Sequence, residues 1–369
     1  MSFQKMEFGH FKVLKSVSIG RFTEVYEVVS TRNVDEGTSY LLKRYLPDNP
    51  KALQCAMRER RILKRLATEY SRLHFLPTIY QSFFLQSAPI LVHTKGSGFS
   101  LSDVLNCFFP LSEKKAAFYC SEIICALSQL HALQIVHLDL RPLTVLLTYT
   151  GHVMISGFDW SHDLLKDQID FNPEEQVSSL EFMAPEVASM GEIAQEADIW
   201  SLGATMAKMV SNGVRVDSMS LIEQAKLGIW RIEEFEQLSE PLQKFLSACL
   251  EADQLKRETI EVLKSHEFFQ GVNWEAVEQR SQEPPYHSTE IWAHLREKKE
   301  SSSTSRTHRE SSMDETKQEA TEERICCDLY GVMLEHTRSD EEGWMNEEID
   351  KLFDADFFNA VASDNEEDE

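Results

Sequence analysis

"HLDLRPLTVLLTYTGHVMISGFDW", residues 137–160, decides how this chain is read. It sets Asp139 and Arg141 in one short segment and Asp159 in another. Between them stands Gly157, which has no side chain, with the carboxylate of Asp159 two residues later. Whether Asp159 can replace what Gly157 lacks decides whether the chain does chemistry or only has the outline of a protein that does.

Upstream, residues 11–45 alternate apolar and polar positions, as in "FKVLKSVSIGRFTEVYEVVS" and "SYLLKRYL". That period of two predicts antiparallel strands joined by short turns. "PKALQCAMRERRILKRLATEY" has helical spacing instead, with Leu53, Met57, Leu63 and Leu66 on one broad face. "FLPTIYQSFFLQSAPILVHT" returns to strand-like runs. From Ser112 the pattern becomes helical: "SEKKAAFYCSEIICALSQLHALQ" opens at Ser112, and "EADIWSLGATMAKMVSNG" ends at Gly213. "EPLQKFLSACLEAD" and "RETIEVLKSHEFF" follow. The expected architecture is α+β, a strand-rich small lobe and a helical large lobe with a junction near residue 95.

The 369 residues carry a formal net charge of −24. From Ser301 onward 6 Lys and Arg face 21 Asp and Glu, which leaves −9 for the rest. Such a balance argues against nucleic acid or an anionic membrane surface as the main partner. The seven cysteines are scattered, with no CxxC pair, and read as reduced thiols. No apolar leader opens the chain and no run of about 18 apolar residues occurs. The expected setting is intracellular, cytoplasmic or nuclear. Residues 297–343 are polar and predict a disordered linker. In 344–361 Met345, Ile349, Leu352, Phe353, Phe357 and Val361 share one helical face, which suits docking on the chain's own small lobe or on a partner. Ser339 and Ser363, each followed by acidic residues, resemble sites for acidophilic kinases.

The motif order resembles the protein-kinase fold across roughly residues 11–270. "YLLK" precedes a helix bearing "RERRIL", then "HLDLRP", "MISGFDW", "FMAPE", "DIWSLG" and "LKRETIEVLKSHEFF". Each motif alone is weak; their order is specific. Trp274, Arg280, Pro284 and Pro285 are similar to the opening of the C-terminal tail of AGC-type kinases, the lesser alternative being that Trp274 simply caps the last helix. The resemblance implies a bilobal fold: an N-lobe at 11–95 with an antiparallel sheet and one main helix, and a helical C-lobe at 96–270. Residues 1–10 form a separate N-terminal segment, the AGC-like tail starts at 271–296, and the acidic end closes 344–369.

Protein kinases cradle nucleotide phosphates, hold magnesium and place a hydroxyl beside a carboxylate. The resemblance assigns Gly20, Val25, Lys43, Glu59 and Leu146 to the nucleotide side, and Asp139 and Arg141 to catalysis, if the chain is active. Only Gly20 survives of three loop glycines, since Ser18 and Thr23 stand at the other two positions. Leu41 occupies the alanine position over the adenine. Leu138 replaces the arginine that gathers the activation-loop phosphate, and Thr144 replaces a magnesium-binding asparagine. The family's Asp-Phe-Gly is inverted as Gly157-Phe158-Asp159. Magnesium wants hard anionic oxygens, and moving a carboxylate two residues shifts its Cα by up to roughly 7 Å. Asp159 is thus a poor substitute, although alternate residues of extended chain do point the same way. Glu186 with Arg257, and Asp198, match structural positions. Ser179 matches a loop position that contacts the catalytic carboxylate, and Glu175 stands where AGC kinases carry a phosphothreonine.

The resulting expectation is a pseudokinase acting as a scaffold or allosteric regulator. Its partners are other proteins, a kinase or a kinase substrate among them, with no certain cofactor and weakened use of ATP and Mg. The rival is an active serine/threonine kinase with atypical metal handling through Lys43, Glu59, Asp139 and Asp159. A nucleotide-binding switch is the third reading.

Overall fold

The computed structural model describes residues 7–20, 22–47, 49–70, 73–166, 177–214 and 220–306. The chain forms two compact units. One holds the residues up to Arg60 with Thr78–Lys95, the other Arg61–Pro77 with Gly96–Arg296.

The first unit is a six-stranded antiparallel sheet in the order β1-β2-β3-β4-β6-β5. Its strands are β1 (Glu7–Phe8), β2 (Phe11–Ile19), β3 (Thr23–Ser30), β4 (Ser39–Tyr45), β5 (Ile79–Leu85) and β6 (Ala88–His93), with helix α1 (Pro50–Glu69) between β4 and β5. The period-two pattern works as expected. Tyr26 and Val28 of β3, Tyr40 and Leu42 of β4, and Ile90 and Val92 of β6 meet Phe8, Phe11 and Val13 in one buried cluster. The opposite face of central β4 carries Leu41, Lys43 and Tyr45, also buried, so this strand reads as a nearly continuous buried run. Residues 7–8, assigned by sequence to a separate N-terminal segment, belong to the sheet, with Phe8 opposite Phe11. Two residues are too short to show alternation, so the pattern could not reveal them.

Helix α1 buries Ala52, Cys55, Ala56, Glu59, Ile62, Leu63 and Leu66, while Leu53 and Met57 are half-buried. The buried face is rotated from the one apolar spacing predicts and also carries Glu59, which is paired with Lys43.

The second unit contains α2 (Leu101–Phe108), α3 (Glu113–Ala132), α4 (Pro185–Ala188), α5 (Glu196–Val210), α6 (Leu221–Leu227), α7 (Glu240–Cys249), α8 (Ile260–Lys264), α9 (Trp274–Glu278) and the start of α10 (Ser288–Arg306). Two small antiparallel pairs complete it: β7 (Ile135–Val136) with β10 (His162–Asp163), and β8 (Val145–Leu147) with β9 (Val153–Ile155). Apolar α3 and α5 form the core. On α5, a Cβ added to Gly203 would come within 2.5 Å of the Cys249 Cβ, so α5 and α7 pack at backbone contact and Cys249 is fully buried.

Residues 61–77, expected in the small lobe, group with this unit. Tyr70 donates to the Gln129 carbonyl at 2.9 Å, the Ile155 amide donates to the Phe75 carbonyl at 2.8 Å, and the Arg280 guanidinium lies 4.8 Å from the Phe75 ring centre. Sequence spacing carries no trace of such long-range pairing. The linker boundary placed at 297 is also crossed, since α10 runs to Arg306. A docked first turn removes the nucleation cost, and "REKKE" (296–300) propagates helix well despite its polarity.

Candidate functional site

In the first unit, the β2–β3 hairpin closes at Gly20, whose N–H donates to the Thr23 carbonyl at 2.7 Å. Val25 faces Ser18 on β2 and Lys43 on β4. Lys43 Nζ lies 2.6 Å from Glu59 Oε2, and both side chains are buried. The Tyr45 hydroxyl donates to the same oxygen, and the lysine ammonium lies 5.2 Å from the Tyr45 ring centre. The carboxylate thereby balances the ammonium with phenol support, in a site where an uncompensated charge would be costly. Leu41 is buried between Glu27 of β3 and His93 of β6.

The second unit holds the remaining site residues, and it is organised by Asp198. Its Oδ2 accepts from the His137 amide at 2.8 Å and pairs with His131 Nε2 at 3.0 Å, while Oδ1 accepts from the Leu138 amide at 2.9 Å. Burial pushes this carboxyl up, but the hydrogen bonds from the His131 ring and the His137 amide outweigh that and hold it below the usual range. These bonds keep Leu138 at φ +61°, a left-handed backbone that a branched aliphatic residue rarely adopts. His137 is fully buried, its ring edge-on to Phe158 with centroids 5.0 Å apart. Its Nε2 donates to the Ser156 carbonyl at 3.0 Å and its Nδ1 accepts from the Asp139 amide at 3.3 Å, which selects the neutral Nε2–H tautomer. Desolvation lowers its pKa, and the carboxylates of Asp198 and Asp139 only partly offset this.

Asp139 and Arg141 are brought together, with Arg141 Nε donating to Asp139 Oδ1 at 2.9 Å. The Thr144 hydroxyl is turned into the loop. It donates to the Asp139 carbonyl at 2.6 Å and accepts from the Arg141 amide at 3.1 Å. Leu146 is half-buried on β8, opposite Met154 and bridged to Ser100, the N-cap of α2.

Gly157 has φ +83° and ψ 54° and starts a single 3-10 turn, Phe158–Trp160. A Cβ at this position would meet the Thr144 γ-methyl at 3.0 Å and its Cβ at 3.6 Å. The methyl therefore crowds the start of any side chain at 157. Asp159 lies inside the turn rather than in extended chain, so the alternate-residue rule that would aim it in Gly157's direction does not hold. Its charge bears instead on His137. For a hard cation such as magnesium, position 157 offers no side-chain oxygen, Thr144 presents a methyl toward it, and the Thr144 hydroxyl is engaged by backbone.

Glu186 and Arg257 form a buried two-pronged pair at 2.6 and 3.0 Å, with Arg257 also donating to the Glu196 and Glu251 carbonyls. Trp274 Nε1 donates to the Lys264 carbonyl at 3.0 Å, capping α8. Arg280 donates to the Val153 carbonyl at 2.7 Å. Beyond Pro284 and Pro285, Tyr286 stacks on Phe108 with centroids 4.1 Å apart, Lys115 donates to its hydroxyl at 2.9 Å, and Trp292 meets Phe99 edge-on at 5.3 Å. Sequence reading missed Tyr45, although its place two residues after Lys43 puts both on one strand face. It also missed Tyr286 and the pairing of Arg65 with Asp163. Glu174, Glu175, Ser339, Ser363 and segment 344–361 lie outside the described residues, as does the Ser179 side chain.

The antiparallel sheet with its Lys43–Glu59 pair, and the helical unit with its Asp139 loop, Asp198 and Glu186–Arg257, are the framework of a protein kinase. The family model for the protein kinase domain matches residues 11–269, and the chain belongs to this family. Among curated proteins it is similar to human ribosomal protein S6 kinase alpha-2, 27% identical over 297 residues, which covers 77% of this chain and 39% of the relative. Human ribosomal protein S6 kinase alpha-6 is 27% identical over 292 residues, covering 77% and 38%. Ribosomal protein S6 kinase 2 beta of Xenopus laevis is 28% identical over 298 residues, covering 77% and 45%. The chain spans less than half the length of these relatives, and they accord with the AGC-type resemblance carried by Trp274, Arg280, Pro284 and Pro285.

Proposed function

We propose that this chain is a catalytically impaired kinase-fold protein, working inside the cell, in cytoplasm or nucleus, as a scaffold or allosteric regulator of other proteins. A kinase or a kinase substrate is the favoured kind of partner. The observation that carries this reading is the Thr144 γ-methyl, 3.0 Å from the position a side chain at 157 would need. The two positions where the family resemblance places metal ligands thus hold a methyl and no side chain at all. The Lys43–Glu59 pair, completed by Tyr45, holds α1 to the sheet without any phosphate in the account.

The second reading is a serine/threonine protein kinase with atypical metal handling. It is favoured by the Lys43–Glu59 pair and by the Asp139–Arg141 contact, which leave a carboxylate and two cations at the positions phosphotransfer would use. Thermal shift of the full chain with ATP, alone and with Mg²⁺ or Mn²⁺, separates the readings. The scaffold reading expects no shift under any condition. A metal-dependent shift abolished by Asp159→Asn, followed by phosphate transfer to a protein substrate, overturns it in favour of the enzyme. A shift with ATP alone favours a nucleotide-binding switch.

A further inference from the structure

The segment that follows Asp159 is fixed on several sides. As β10 it runs antiparallel to β7, with His162 opposite Val136 and Asp163 opposite Ile135. Ser161 Oγ donates to the His137 carbonyl at 3.0 Å, and the Leu164 amide donates to the Gln134 carbonyl at 2.9 Å. The Asp163 side chain is only 1% exposed, and its Oδ2 lies 2.6 Å from Nη1 of Arg65 on α1, itself 13% exposed. The approach is off the N–H axis, so the contact is a buried ion pair rather than an aligned hydrogen bond. Asp163 Oδ1 accepts from the Leu165 amide at 3.1 Å, which keeps the carboxylate turned toward the guanidinium. Where the family resemblance places a phosphate-gathering arginine, Leu138 offers a buried aliphatic chain with no charge.

We infer that Arg65 and Asp163 form a phosphate-independent clamp, in which a carboxylate encoded in the segment itself holds residues 161–165 against the C-terminal half of α1. Placement of this segment then does not depend on phosphorylation of the chain. The clamp stands whether or not the protein transfers phosphate, because it rests on none of the metal or nucleotide positions.

Hydrogen exchange of the full chain, read at the Leu164 and Leu165 amides, tests it. Chain from eukaryotic cells is compared before and after phosphatase treatment, and with Arg65→Gln and Arg65→Lys. Phosphatase treatment is expected to leave protection unchanged. Arg65→Gln, which keeps the Asp163 turn but removes its counter-charge, lowers it by about a hundredfold. If Arg65→Gln does not fold, Arg65→Lys carries the test. It keeps the charge but loses the fork, and is expected to show an intermediate loss confined to residues 161–165. Protection that falls on dephosphorylation, or that survives both substitutions, overturns the clamp.

Discussion

The γ-methyl of Thr144 and the missing side chain of Gly157 are two halves of one contact: any Cβ at 157 would begin 3.0 Å from that methyl. What reads in sequence as two separate losses of metal ligands is one packing arrangement. Restoring one half leaves the other in the way. Gly157→Asp alone is expected to destabilise by about 1–3 kcal/mol, through crowding against the methyl and through the left-handed backbone at φ +83°. Thr144→Ser keeps the hydroxyl bond to the Asp139 carbonyl while removing the methyl, so Thr144→Ser with Gly157→Asp should recover the crowding part of that loss, while the strain of the left-handed backbone at 157 stays. Urea denaturation of the four proteins measures the coupling. Equal destabilisation in the single and double variants would refute it.

Tyr45→Phe isolates the phenol that shares Glu59 with Lys43. Removing a bond to a buried charged group is expected to cost about 1.5–3 kcal/mol. The loss should shrink in a Glu59→Gln background, where the charge is already absent. A chemical-denaturation cycle reads the difference, and equal losses in the two backgrounds would show that Tyr45 acts by packing alone.

Acid should weaken the fold through His137. Its folded pKa lies below its ordinary value of 6.5, so the unfolded chain takes up a proton first as pH falls. The stabilisation is complete above about pH 6.5 and is lost progressively from there down to the folded value. One such proton contributes at most about 1.4 kcal/mol per pH unit. His137→Gln should be less stable at pH 7.5 yet show a shallower decline toward pH 5. A parallel decline would assign the acid sensitivity to other groups.

Gly151 has φ +93°, and a Cβ there would strike the Tyr286 carbonyl. Gly151→Ala is expected to lift the chain around Tyr286 off Phe108. Faster limited proteolysis near residues 284–292, with little change at Asp139, is the outcome to look for. Unchanged cleavage would mean that the aromatic contacts alone hold this stretch.

Local patterning made the sheet and the long helices legible. Tyr26, Val28, Tyr40 and Leu42 announce β3 and β4 by alternation, and α3 and α5 are long apolar segments with few competing assignments. The motif residues were readable one by one. Their geometry was not. The extended-chain argument for Asp159 failed because Gly157 starts a 3-10 turn, a backbone choice no periodicity reports. The place of residues 61–77 depends on partners such as Gln129 and Arg280, far away in sequence. Phe8 escaped because a two-residue strand has no period.

The close packing of α5 on α7 that buries Cys249 has a practical use. Cys120 and Cys249 are fully buried in the second unit, and Cys55 is 3% exposed in the first. Burial pushes the thiols of Cys120 and Cys249 up, away from the reactive thiolate. The native chain therefore carries its own pair of chemical clocks. Pulsed alkylation followed by peptide mass spectrometry would time the opening of each unit separately, with no cysteine engineered into the chain.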